Sequence, residues 1–94
     1  MFVIFQATAR PGHAAELATL FDDTLGDTRS FDGCNSVIAC RSQDDEHRIT
    51  LIEDWRDRAA YEAYLGWRAG RGDMEKLAAL VVGEPRIEYL DTMN

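Results

Sequence analysis

Apolar positions recur along this chain with two different periods. From Phe2 to Ala9, Phe2 and Ile4 fall on one side and Val3, Phe5, Ala7 and Ala9 on the other. Both sides begin apolar, which predicts a strand covered on both faces. Pro11-Gly12 breaks it. From about His13 to Arg29 the period becomes helical, with Ala14, Leu17, Leu20, Phe21 and Leu25 in one stripe. Phe31-Asp32-Gly33 is a turn. Asn35 to Arg41 predicts a second strand, polar Ser42 to Glu46 a hairpin turn, and His47 to Trp55 a third strand. Asp57 is placed to cap a second helix whose stripe holds Tyr61, Tyr64, Leu65 and Arg68. Gly70-Arg71-Gly72 interrupts that helix. Asp73 is placed to cap a third, with Met74, Leu77, Ala78 and Val81 on one side. Gly83 and Pro85 stop it, and Arg86 to Leu90 predicts the last strand.

The order β-α-β-β-α-α-β predicts an α+β fold of the ferredoxin-like, split βαβ kind, with a four-stranded antiparallel sheet and its second helix broken in two. Residues 1–94 make a single domain. Helices cover one face of such a sheet. The first strand is apolar on both sides and no further element remains, so a second copy packed sheet to sheet is the expected cover.

With 46% apolar residues the chain is expected to fold rather than stay disordered. Its formal charge of −7 repels phosphate backbones and anionic lipid, so neither nucleic acid nor a membrane is an expected partner. Lys76 is the only lysine; the other cations are arginines. The opening Met1-Phe2-Val3-Ile4-Phe5 has no basic leader and breaks at Gln6, which does not read as a secretory signal. Cys34 and Cys40 share a predicted strand and stand too far apart for a disulfide. They read as reduced apolar filler, in keeping with a cytoplasmic location.

Several local patterns run through the whole chain. They are the opening strand closed by Pro11-Gly12, and Phe31-Asp32-Gly33-Cys34 before the second strand. Ile52-Glu53-Asp54-Trp55 ends the third strand, and Ala60-Tyr61-Glu62-Ala63-Tyr64 comes next on a helix. Gly83-Glu84-Pro85 precedes the last strand. In these the chain resembles the antibiotic biosynthesis monooxygenase family, whose members are dimeric α+β barrels. The resemblance implies a homodimer and an oxygenase that uses no cofactor and acts on a small aromatic substrate of phenolic, anthrone or quinol type. It leaves open a small-metabolite isomerase, or a binding or accessory protein without chemistry.

The spacing of Trp55 and Tyr61 matches a tryptophan and tyrosine implicated in the anthrone branch of that family. The expected catalytic pair is therefore Tyr61, hydrogen-bonding a substrate oxygen, and Trp55, stacking on its ring. Tyr64, Trp67 and Arg68 form an aromatic wall with one cationic tip and are candidates for substrate binding. Asn35 is a further binding candidate. Asn35 and Glu53 are polar residues in or beside strands, and a register error of one residue reverses the face of either.

Some positions depart from the family pattern. Leu51 stands where the anthrone branch has an asparagine. Phe5 and Met74 stand where the haem-degrading branch has its asparagine and histidine. Gly66 to Arg71 lacks the histidine many relatives carry after the aromatic helix, which removes the usual candidate for a general base. His13 and His47 read as solvated, and no histidine pair has metal-ligand spacing. No metal and no cofactor are expected.

Overall fold

In the computed structural model, which describes residues 1–94, the elements follow the predicted order. They are β1 (Phe2–Thr8), α1 (Ala14–Ser30), β2 (Cys34–Arg41), β3 (Arg48–Trp55), α2 (Arg58–Gly70), α3 (Asp73–Leu80) and β4 (Arg86–Leu90). The strands form one antiparallel sheet in the order β2-β3-β1-β4. Strands β1 and β3 thus lie in the middle, each parallel to the strand that its own crossover reaches but separated from it by a third. This is the split βαβ topology.

Register decides which residues meet the helices. Glu53 of β3 stands opposite Val3 of β1 and Val37 of β2, and Leu51 opposite Phe5. Residues two apart on a strand share a face. Val3, Phe5, Ala7, Val37, Ile49, Leu51, Glu53 and Trp55 are all buried on the helix side. The other face carries Phe2, Ile4, Ile38, Ile52 and Leu90, and all but Ile4 of these are exposed in the single chain. The two apolar faces read for the first strand are both present, and the chain covers one of them. Cys40 lies exposed and Cys34 half-buried. Within the single chain this departs from the expectation that both are buried filler: Cys40 pairs with Thr50 on the open face.

The caps differ between the two later helices. The Asp57 carboxylate accepts a hydrogen bond from the Ala60 amide at 2.8 Å, as its position predicts. Asp73 does not cap α3. Gly72, at φ +79, is the N-cap, and Asp73 is turned onto Arg68 at 3.0 Å. A charged donor in a nearly dry setting outcompetes a backbone amide for that carboxylate. The last turn of α3 also ends earlier than its apolar stripe suggests, because Val81 is extended and bridges Ala9. In the turn before β2, Gly33 has φ +93, and a Cβ there would meet that of Ala60 at 2.6 Å. Both the backbone angle and the close approach of α2 require glycine. No helix is long and apolar enough to cross a membrane.

Candidate functional site

The buried apolar residues fall into two clusters. One joins Phe5, Leu17, Phe21, Leu25, Leu51 and Leu77 with smaller neighbours. The other joins Val3, Trp55, Ala60 and Tyr61, with Phe31, Tyr64, Leu65 and Tyr89 packed on it. Between them, under α2 and α3, is a cavity of about 70 Å³ lined from both clusters. Its wall is mostly apolar. The polar groups on it are Thr24, Glu53, Tyr61, Tyr64, Arg68 and Asp73.

Glu53 is 2% exposed. Its Oε1 accepts a hydrogen bond from the Trp55 indole N–H at 3.1 Å. The side chains are two apart on β3, so both point at the helices, and the valines opposite Glu53 on each side supply no donor. Burial raises the carboxyl from its ordinary 4.5 to about 7, and the indole bond opposes this. Near neutral pH the group is therefore present in both proton states. Tyr61 is 1% exposed, and its ring meets Trp55 edge-on at 5.4 Å. Burial raises its hydroxyl pKa strongly, with the charge of Glu53 adding to the effect, so the phenol stays a neutral donor. No protein group hydrogen-bonds the Tyr61 hydroxyl or Glu53 Oε2. Neither atom is sealed away from accessible space, and both side chains line the cavity.

At the other end Arg68 is 4% exposed. Its Nε donates to the Tyr64 hydroxyl at 2.9 Å and Nη1 to Asp73 at 3.0 Å. Nη2 donates to the Thr24 carbonyl at 2.6 Å and to the Thr28 hydroxyl at 3.1 Å. Thr28 and Tyr64 hydroxyls lie 2.7 Å apart. Arg68 thus ties α1, α2 and α3 together, and its guanidinium and the Tyr64 hydroxyl are largely occupied by protein partners.

The residues singled out from sequence are spread over three places. Tyr61, Tyr64 and Arg68 line the cavity. Trp55 is fully buried behind the wall, packed on Phe31, Tyr61 and Tyr64, and reaches the cavity through its bond to Glu53. Trp67 also stands behind the wall, against Phe31 and Tyr64, with the Arg71 guanidinium 4.7 Å from its ring. Asn35 lies exposed on β2, at a bulge between Cys34 and Ser36, with its amide donating to Asp54. Glu53 was visible in the sequence only as a polar residue of undecided face. The available clue was its place two residues before Trp55, on the same side of the strand. No three His, Cys, Asp or Glu side chains converge as a metal site would require.

Comparison with known proteins agrees with this architecture. The antibiotic biosynthesis monooxygenase family matches residues 1–69. A solved antibiotic biosynthesis monooxygenase shares the fold with TM-score 0.88 at 20% identity, over 99% of this chain and 98% of that one. A Pseudomonas aeruginosa protein gives 0.81 at 29% identity, over 99% and 93%. A Mycobacterium tuberculosis protein gives 0.74 at 26% identity, over 99% and 97%. No protein of curated function matches the chain.

Proposed function

The chain belongs to the antibiotic biosynthesis monooxygenase family, and we propose that it is an oxygenase of a small phenolic, anthrone or quinol-like molecule, working without a resident cofactor. One observation carries the reading. A mostly apolar cavity is lined by two buried residues, Tyr61 and Glu53, whose hydroxyl and Oε2 have no protein partner and stay open to the cavity. Polar oxygens that open onto a mostly apolar cavity have no protein partner to give up, so two of them on one wall suit a ligand that carries its own polar atoms.

Such a wall meets the needs of cofactor-free oxygenation. An electron-rich ring that loses a proton becomes a one-electron donor to O₂. The protein's part is to exclude water, hold the ring and stabilise charge where it develops. For the ring methylene of an anthrone the balance is CH₂ + O₂ → C=O + H₂O, and for a quinol it is quinol + O₂ → hydroxyquinone + H₂O, with the substrate supplying all the electrons. In this reading Tyr61 donates to the substrate oxygen, while the rings of Tyr61 and Tyr64 and the side chains of Leu51 and Leu65 hold its faces.

Volume ranks the substrates. An apolar cavity of ~150 Å³ accepts benzene, and this one has about 70 Å³. Even a single ring requires side chains to give way, and Met74 on α3 is the most adaptable of the lining residues. One-ring and two-ring quinols therefore rank ahead of three-ring anthrones. The same small volume, with the absent histidine, favours as second reading a binding protein without chemistry. Oxygen uptake separates the two. With hydroquinone, 1,4-dihydroxynaphthalene and anthrone, and no flavin, haem or metal added, the protein should raise uptake well above the protein-free rate. Saturable binding without extra uptake would favour the binder.

We also propose a homodimer in which a second copy covers the open sheet face of Phe2, Ile4, Ile38, Ile52 and Leu90. Light scattering after size exclusion should give twice the chain mass at micromolar concentration. A folded monomer there would rule it out.

A further inference from the structure

Glu53 is more than a wall residue. It sits in the middle of a sheet between Val3 and Val37, where glutamine would accept the Trp55 indole bond as well and at no cost of burying a charge. The one protein bond it makes is to Trp55, through Oε1. Oε2 has none, and the side chain borders the cavity beside Tyr61. We propose that Glu53 is the proton acceptor of this pocket, taking the proton from an acidic O–H or an activated ring C–H of the bound aromatic molecule, with Trp55 as the positioning residue. The assignment rests on the oxygenase reading only for the fate of the substrate anion once its proton has left.

The step balances simply. The substrate O–H bond breaks, its electron pair stays on the substrate oxygen, and the proton goes to Glu53 Oε2. The products are a neutral carboxylic acid and a substrate anion. The electrons that later leave that anion go to O₂, and Glu53 is neither oxidised nor reduced. Tyr61, still protonated, donates to the anion's oxygen. An acceptor works best when its own proton affinity lies near the operating pH, and burial has brought Glu53 to about 7.

No neighbouring cation undoes this. Facing the same space are Tyr61, Tyr64 and Arg68 from α2 and Asp73 from α3. Cys34 on β2 and Tyr89 on β4 are the other titratable neighbours. Helix α1 and strand β1 bring only uncharged side chains to the cavity. Arg68 is paired with Asp73 at 3.0 Å and is not Glu53's counterion.

Three proteins test the assignment: wild type, Glu53→Gln and Trp55→Phe. Glutamine keeps the shape and still accepts from the indole, so the fold should survive. Without oxygen, 1,4-dihydroxynaphthalene mixed with wild type near pH 7 should show the absorption of its anion, and with Glu53→Gln it should not. In ¹³C-glutamate-labelled protein one carboxyl should titrate near pH 7, vanish in Glu53→Gln, and move to higher pH in Trp55→Phe, where the anion loses its donor. With oxygen, Glu53→Gln should lower kcat by roughly a hundredfold or more with little change in KM, and the Trp55→Phe pH profile should shift upward. Undiminished uptake by Glu53→Gln overturns the proton step and leaves the oxygenase reading standing. Anaerobic ionisation without any oxygen uptake overturns the oxygenase reading and leaves the proton step. Failure of the naphthol to bind or ionise in wild type overturns the assignment. Should Glu53→Gln not fold, the direction of the Trp55→Phe carboxyl and rate profiles decides: upward supports it, no shift overturns it.

Discussion

At one end of the cavity Arg68 donates to Tyr64, Thr28, Asp73 and a carbonyl of α1. At the other, Glu53 accepts one bond from an indole, and Tyr61 has no partner for its hydroxyl. Both ends are polar groups in a nearly dry core, each with a tyrosine on the same helix stripe. The first is satisfied within the protein and holds three helices in place. The second leaves hydrogen-bonding capacity open to the cavity and gives one group a proton affinity matched to neutral pH. A polar cluster satisfied within the protein is architecture, and polar atoms left open to a cavity are where a ligand would find partners.

The comparison is tested most forcefully at Arg68. Arg68→Ala leaves Asp73, Tyr64 and Thr28 without their common donor and should cost about 3–5 kcal/mol, as breaking a buried ion pair does. Urea unfolding measures this, and a loss below 1 kcal/mol would show that the arginine is not structural. At the opposite end the expected effect has the reverse sign above neutral pH. Glu53 is protonated in both folded and unfolded states below about pH 4.5 and ionised in both above about 7. Between these the unfolded chain loses its proton first, so the folded state loses stability as pH rises. At ~1.36 kcal/mol per unit the shift amounts to about 3 kcal/mol. Glu53→Gln should therefore gain on wild type by that order between pH 4.5 and 8, read from unfolding curves across that range. A pH-independent difference between the two would mean that the carboxyl is not shifted.

The two tyrosines sharpen the contrast with smaller effects. Tyr61→Phe removes a hydroxyl that contacts no protein donor or acceptor. Turnover should fall roughly ten- to a hundredfold, on the order of 1–3 kcal/mol, with the melting temperature nearly unchanged. Tyr64→Phe removes a hydroxyl bonded to Arg68 and Thr28. It should lower stability by about 1–2 kcal/mol and slow turnover per folded molecule less than Tyr61→Phe does. Equal behaviour of the two variants would erase the distinction between the ends.

Element order, the broken second helix, the Asp57 cap and the two apolar faces of β1 were legible in the sequence, because each depends on residues a few positions apart. The concentration of aromatic residues from Trp55 to Trp67 was legible for the same reason. Tertiary structure alone decided which side each residue takes and which polar groups are satisfied. Alternation along β3 says that Glu53 and Trp55 share a face, and only the register against Val3 and Val37 turns that face inward. At Asn35 a bulge defeats alternation, and the residue lies outside the cavity. Tyr61 and Tyr64 read alike on one helix stripe. They differ because Thr28, thirty-six positions away, meets one hydroxyl and nothing meets the other. Asp73 reads as a cap and serves Arg68 instead. Periodicity carries the direction of a side chain relative to its own element, whereas hydrogen-bond satisfaction depends on atoms brought together from distant parts of the chain.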